Sequence, residues 1–449
     1  MSTPPNIALV VLDTMRKDYF DKHFDWIPGL HYDRAFSTSH STSPVHASLF
    51  TGKYPSEVGV YKTTDELNTQ QPVLAERLSE AGYTTKAFSS NPLVSPPFNF
   101  DRGFDDFQPS WKIQSAVNDL FDWVQFANNH EGFSRYPRGI IACIRSEKPT
   151  LRSLRQAMRT KMGDLGVSKY QDDGAREFRS WLENQSGGSS PEFLFANLME
   201  AHSPYRPPPE YRSIDDSEYY YPNAIEVSFT DEGENVDQEI VKKAYDDAVS
   251  YLSSQYEKLF DNLRDKYDII ITCGDHGELF GESDADNLWG HFHGVYKQLT
   301  NIPLVISGES IPTDRVEQAV SLKSVYNTIL ASARVDNGGT DLRNGETSET
   351  VLTQTHGIAD HQLESIPENK QPIVETILNS YNKRYDGVAV DTYYGHESVG
   401  GWRESGERLN APKELLNELR GELNEEVETA YSGNISDSLS NQLEMLGYK

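Results

Sequence analysis

Cysteine is nearly absent. Cys143 and Cys273 are the two in 449 residues, too few for a disulfide framework or a zinc site. Long apolar runs are absent as well. No stretch approaches the roughly 18 residues that a membrane-spanning helix needs. The opening MSTPPNIALVVLDT lacks the basic flank and long apolar core of a secretory leader. A soluble, cytoplasmic protein is therefore expected. Bases are scarce: 41 Lys and Arg stand against 69 Asp and Glu, a formal charge of -28. A field of that sign repels nucleic acid and anionic membrane surfaces, so neither is expected as a partner. The excess is read as the acidic surface of a halophile rather than of an ordinary cytosolic protein. Internal repeats and low-complexity tracts are missing too.

What is present is globular. The chain is 37% hydrophobic and 24% charged, and its length predicts two lobes rather than one core. Four short runs are almost wholly apolar: NIALVVL (6–12), FLFANLM (193–199), DIIITC (268–273) and IPLVI (302–306). That is the pattern of strands buried on both faces in a parallel sheet. Helical patterns lie between them, such as PVLAERLSEAG (72–82) and the stretch 242–267. Alternating strands and helices predict an α/β fold, a large, mixed, mostly parallel sheet flanked by helices. Chemistry in such sheets gathers at the carboxyl ends of strands.

Residues 111–184 read as a helical insertion. Between Arg135 and Lys161 it carries eight bases and one acid, Glu147. This island is either a solvated helix face or a lid that attracts an anionic substrate. After residue 333 the chain becomes turn-rich, with a short strand TVLTQT (350–355) and a terminal acidic helix (411–431). The expected domains are a catalytic domain over 1–333 and a smaller α+β domain over 334–449.

Four stretches carry candidate chemistry. In STSPVHASLFTGKYP (41–55), Pro44 suits the first position of a helix and Ser43 its N-cap. The Thr42 hydroxyl then faces unpaired N–H groups and the positive end of the helix dipole. Asp13 ends the first apolar run. Asp275 and His276 leave the third, in CGDHGE, and His291 and His293 follow in WGHFHGVY. His202 leaves the second in EAHSPYRPP. Each has a plain structural explanation taken alone: a cap, a turn, a packed histidine. Together, two carboxylates, a histidine and a hydroxyl at strand ends suit one divalent cation. Such an ion lowers the hydroxyl's pKa and shields an anionic ester from the nucleophile. His202 would then donate to a developing oxyanion or leaving oxygen.

The order of these pieces, with AGYTTKAFSSN, NFDRGFDDF and YDDAVSYLSSQ between them, resembles the sulfatase family of the alkaline phosphatase superfamily. The match runs from Asn6 to about Ile306 and is nearest to haloarchaeal-type sulfatases with threonine at the nucleophile position. The resemblance implies a metal-dependent sulfuric ester hydrolase acting on an anionic small-molecule or glycan ester. Thr42 is the implied nucleophile, and Asp13, Asp275, His276 and Thr42 surround one divalent cation. Calcium is preferred, with Mg²⁺ or Mn²⁺ as alternatives. His202 and His293 fall at the catalytic, anion-contacting positions. His293 is preferred to His291 by counting back from Tyr296. His46, Asn91 and His291 fall at substrate-binding positions. Departures from the family pattern are equally visible. Threonine cannot mature to formylglycine as the usual Cys or Ser does. His46 replaces an arginine, Thr14 replaces the second Asp of the first motif, and Ser90-Asn91 replaces a Gly-Lys-Trp-His stretch. An unmodified hydroxyl nucleophile keeps open a phosphodiester or phosphonate monoester hydrolase; a catalytically silent binding protein is a third reading, against which the retained Thr42, Asp13, Asp275 and His276 argue. No Asp-x-x-x-His pair for a second metal is found.

Overall fold

The computed structural model describes residues 4–426, apart from 62–64, 115–119, 122, 124–125, 127–129, 131–134, 165–171, 186–187, 216–217, 219–222, 231–232, 234–235, 336–337, 346–348, 359–361, 364–365 and 367–370. Its strands are β1 (Ile7–Leu12), β2 (Leu30–Phe36), β3 (Thr84–Ser89), β4 (Asp106–Pro109), β5 (Glu192–Leu198), β6 (Ile269–Gly274), β7 (Leu279–Phe280), β8 (Trp289–Gly290), β9 (Asn301–Ser307), β10 (Asp314–Val316), β11 (Val320–Ser321), β12 (Val351–His356), β13 (Arg384–Val390), β14 (Tyr393–Ser398) and β15 (Gly401–Ser405).

The large sheet runs β10-β2-β9-β6-β1-β5-β3-β4, with β11 also beside β2. Among the described strands of this sheet β9 alone runs against its neighbours, β6 and β2. The rest pair in parallel. The four apolar runs read from the sequence are its central strands β1, β5, β6 and β9. Alternation explains their composition. Ile7, Leu9 and Val11 of β1 face one core with Val45, Leu49 and Phe50 from the Thr42–Thr51 helix. Ala8, Val10 and Leu12 face a second core with Tyr245, Ala248 and Leu252 from the Gln238–Arg264 helix. A strand with helices on both faces has no polar side.

The long helix begins four residues ahead of the expected 242. The Asp237 side chain caps it, accepting from the amides of Glu239 and Ile240. In the insertion, helices Arg135–Arg145, Thr150–Asp164 and Ala175–Glu183 are described. Much of its first half, with 165–171, lies outside the described residues. Ile140, Ile141, Ile144, Leu151 and Met158 of the basic stretch are exposed.

The second sheet is antiparallel, in the order β12-β13-β14-β15. Helix Pro412–Glu422 packs on it through Leu416, and Arg420 bonds both Asp386 and Glu397. The expected continuation of that helix over 427–431 lies outside the described residues. Ser39 and Gln354 form a parallel bridge between the two parts of the molecule. The Gln354 amide donates to the Thr38 carbonyl at 2.9 Å, and the Ser39 hydroxyl donates to the Gln354 carbonyl at 2.8 Å.

Candidate active site

The parallel register sets Leu12 beside Gly274 and Leu198. The next residue of β1 and of β6 is an aspartate, so Asp13 and Asp275 emerge side by side. Thr14 then turns the chain at φ 57°. Tyr245 holds that turn: its hydroxyl donates to the Thr14 carbonyl at 2.7 Å and accepts from the Arg16 amide at 2.9 Å. One Asp13 oxygen accepts from the Thr14 hydroxyl. The other accepts from the side-chain amides of Asn91 at 2.8 Å and Asn197 at 3.1 Å. Asp275 Oδ1 accepts from the Thr14 and His276 amides, whereas its Oδ2 is buried without a partner. His276 Nδ1 donates to the Gly277 carbonyl at 2.9 Å, which leaves the Nε2 lone pair facing the carboxylates. Ligand atoms of Asp13, Asp275 and His276 all lie within 4.8 Å of one another. An unpartnered carboxylate oxygen beside a second carboxylate and an imidazole lone pair fits a hard divalent cation.

Thr42 completes the group, with Oγ1 3.3 Å from His276 Nε2. The helix that carries it starts earlier than expected. Ser41, not Ser43, is the N-cap, Thr42 is the first helical residue, and Pro44 is the third. Proline needs only a position in the first turn, where no N–H is required. His46 lies one turn on. Its Nδ1 donates to the Thr42 carbonyl at 2.9 Å, and its Nε2 accepts from Asn197 at 3.2 Å. It is fully buried against Phe100 and Phe195. Both nitrogens of this expected substrate ligand are thus spent on the protein. Asn91 differs from expectation in the same way, since its amide is given to Asp13.

The paired histidines separate. His291 lies 4.5 Å from the His276 ring and 5.3 Å from the His202 ring, between centroids. His293, the preferred anion contact, instead meets Tyr381 and Tyr385 at 5.5 and 5.3 Å. The intervening Phe292 turns into an apolar cluster with Leu288 and Tyr296, which sends its two neighbours to different walls. His202 Nδ1 donates to the Ser203 carbonyl at 2.8 Å. Glu278, just past the Asp-His-Gly turn, accepts from His291 Nδ1 at 3.0 Å and from the Tyr205 hydroxyl at 2.6 Å.

The sulfatase family profile matches residues 5–335, nearly three-quarters of the chain. The chain belongs to the sulfatase family. A choline-sulfatase of Rhizobium meliloti (strain 1021) is 23% identical over 429 residues, spanning 84% of this chain and 79% of that protein. Among solved structures, the phosphonate monoester hydrolase of Agrobacterium radiobacter superposes with a TM-score of 0.59 at 16% identity, over 92% of this chain and 90% of that one. The corresponding enzyme of Silicibacter pomeroyi gives 0.60 at 15%, over 96% and 98%. A 2-O GAG sulfatase gives 0.57 at 14%, over 93% and 90%. At these identities the superpositions establish the fold.

The electrostatics of this sulfatase-family site follow from burial. Burial pushes the Asp13 carboxyl up, but His202, His276, His46 and the Asn91 amide outweigh it and leave it below its ordinary value. Asp275 is driven well above the carboxylate range, first by burial and then by the Asp13 charge. A cation held between two such carboxylates would let both ionise. Burial also lowers His46 to about 4 and raises Glu278 to about 7.

Sequence reasoning missed Asn197, His40, Glu278 and Tyr245. Asn197 had a signal, as the one polar side chain within FLFANLM. Glu278 stands in the same CGDHGE as the metal candidates. His40 is two residues before Thr42, with no motif to mark it. Tyr245 opens YDDAVSYLSSQ, a stretch that carried the family resemblance without any role for the tyrosine itself. Among the described residues no helix is long and apolar enough to cross a membrane.

Proposed function

We propose that this chain hydrolyses sulfate monoesters, with Thr42 as nucleophile beside one divalent cation held by Asp13, Asp275 and His276. The observation that carries this reading is the Thr42 hydroxyl at the first turn of a helix, 3.3 Å from His276 in the buried carboxylate pair's pocket. Oxygen-rich donors favour Ca²⁺, with Mg²⁺ or Mn²⁺ as alternatives. When bound, the cation lowers the hydroxyl's pKa and shields it from the ester's negative charge. Thr42 would lose its proton to bulk water, its Oγ would attack the sulfur, and the bond between sulfur and the alcohol oxygen would break. His202, whose Nδ1–H is held by the Ser203 carbonyl, would give that oxygen a proton from Nε2 as the imidazolium, which water then restores, and His291 lies beside it at the site. Water then releases sulfate from Thr42. His46 acts beneath the helix, fixing the Thr42 carbonyl, and Asn91 and Asn197 orient Asp13.

One observation favours a second reading. Thr42 is an unmodified hydroxyl, so a phosphodiester or phosphonate monoester would leave a phospho-threonine that water can also clear. A paired assay separates them. Aryl sulfate, aryl phosphate diester and aryl phosphonate monoester are offered with added divalent metal in high salt to wild type and Thr42→Ala. Sulfate release that disappears in Thr42→Ala, with the melting temperature kept, is the expected result. Phosphoester cleavage alone establishes the second reading. Equal activity in the two proteins removes Thr42 from the mechanism.

A further inference from the structure

The Arg135–Arg145 and Thr150–Asp164 helices of the insertion are packed inside out. Their inner faces are small or polar. A Cβ on Gly139 would lie 3.0 Å from the Trp123 ring and 3.1 Å from that of Phe126, and Cys143, one turn on, is buried. On the second helix Ser153 and Gln156 are buried. The Ser153 hydroxyl accepts from the Phe121 amide at 3.0 Å, and the Ser153 carbonyl accepts from the Trp123 indole N–H at 2.7 Å. Trp123 thus lies beneath both helices, and their outer faces turn the same way, away from it.

Those outer faces are apolar. Ile140, Ile141 and Ile144 form one stripe by their spacing, and Leu151 and Met158, two turns apart, form another. Of the seven large apolar side chains that stand exposed among the described residues, these are five, with Leu151 at 79%. Single exposed apolar residues are ordinary, but a concentrated patch marks a contact surface. Arg138, Arg145, Arg152 and Arg155 are exposed beside the stripes, in a stretch that holds eight bases and one acid between Arg135 and Lys161.

We propose that this helix pair docks on a bilayer surface rich in anionic phospholipid, with Ile140, Ile141, Ile144, Leu151 and Met158 entering the acyl boundary and the flanking arginines meeting the lipid phosphates. Helices of 11 and 15 residues are too short to span a bilayer and suit the plane of its interface. Nucleic acid would set the isoleucines against phosphate and give them no apolar partner. A two-fold pair of copies joined through this face would set one basic patch against the other. The chain's charge of -28 predicts repulsion from such a membrane, but salt screens charges more than about 8–10 Å away. A patch in direct contact therefore feels mainly its own sign.

The test does not depend on turnover at Thr42. Full-length protein, at the lowest KCl concentration that keeps it folded, is sedimented with large vesicles of phosphatidylcholine alone or mixed with phosphatidylglycerol. Wild type should partition onto the anionic vesicles at least about tenfold more strongly than onto the neutral ones. Arg145→Gln and Arg152→Gln should each weaken that partitioning about fivefold. Ile141→Glu and Leu151→Glu should weaken it by more than about tenfold. All four side chains are exposed, so the melting temperatures should match wild type; should a glutamate variant not fold, the two arginine variants carry the readout. Wild type that stays in the supernatant with anionic vesicles overturns the docking, as do variants that sediment like wild type. Self-association in analytical ultracentrifugation that Ile141→Glu abolishes, with no response to vesicles, gives the face to a second copy and overturns the membrane.

Discussion

At the scale of single residues, Asp13 depends on two asparagines that arrive from different strands' ends. Asn91→Ala or Asn197→Ala leaves one carboxylate oxygen under-bonded, and divalent-metal affinity should fall by about 10- to 100-fold. Calorimetric titration with Mn²⁺ reads this directly, and unchanged affinity in both variants would remove them as supports. Glu200 gives a pH prediction. It accepts from the Ala175 amide at 2.6 Å. Burial first, then Asp172 and Asp173, push it from 4.5 up to about 8. The folded protein therefore keeps a proton that the unfolded chain releases near pH 4.5. Stability should be flat below about pH 4.5, fall as pH rises towards 8, and level off above, by on the order of a few kcal/mol. Glu200→Gln keeps an acceptor for Ala175 and should flatten that slope in urea unfolding; parallel slopes would contradict the assignment. Residue identities at the site were legible where they end apolar runs, as Asp13 and Asp275 do. The job of His46 was not, because it depends on Asn197 reaching across from β5. The separation of His291 from His293 depends likewise on where Phe292 packs, which spacing does not reveal.

At the scale of elements, the Gln238–Arg264 helix does more than cover the sheet. Tyr245 clamps both ends of the Thr14 turn. Tyr245→Phe leaves a buried carbonyl and a buried amide unpaired, and should cost about 2–3 kcal/mol together with metal affinity. Chemical denaturation with and without metal measures both, and a neutral effect would show that the turn holds itself. The helix that carries Thr42 ends at Gly52, at φ 71°, where an added Cβ would lie 2.6 Å from the Tyr326 ring. Gly52→Ala should therefore destabilise by at least about 1 kcal/mol, read as a lowered melting temperature. The central strands were legible because burial on both faces leaves no polar position to blur them. Strand β2, LHYDRAF, was not, since its Asp33 and Arg34 break the pattern near the sheet edge. The helix start at Ser41 was misread because three successive hydroxyl residues all make acceptable caps.

At the scale of the molecule, the charge of -28 opposes compaction, and salt screens it. The melting temperature should rise by several degrees between about 0.1 and 2 M KCl, and a flat response would rule out a halophile's surface. Chelation should lower it, because removing the cation leaves Asp13 and Asp275 facing each other. The two-part architecture was expected from chain length, but the strand-like contact between the parts was not, because nothing in Ser39 or Gln354 marks them as partners. That contact bears on protein engineering. The loop that leads into Thr42 is, at Ser39, in effect an edge strand of the smaller sheet. Exchanging the second lobe between relatives to transplant a substrate preference is therefore not a modular graft. A chimera that does not rebuild the Gln354 pairing would lose the backbone contact that ties the loop leading into Thr42 to the smaller sheet.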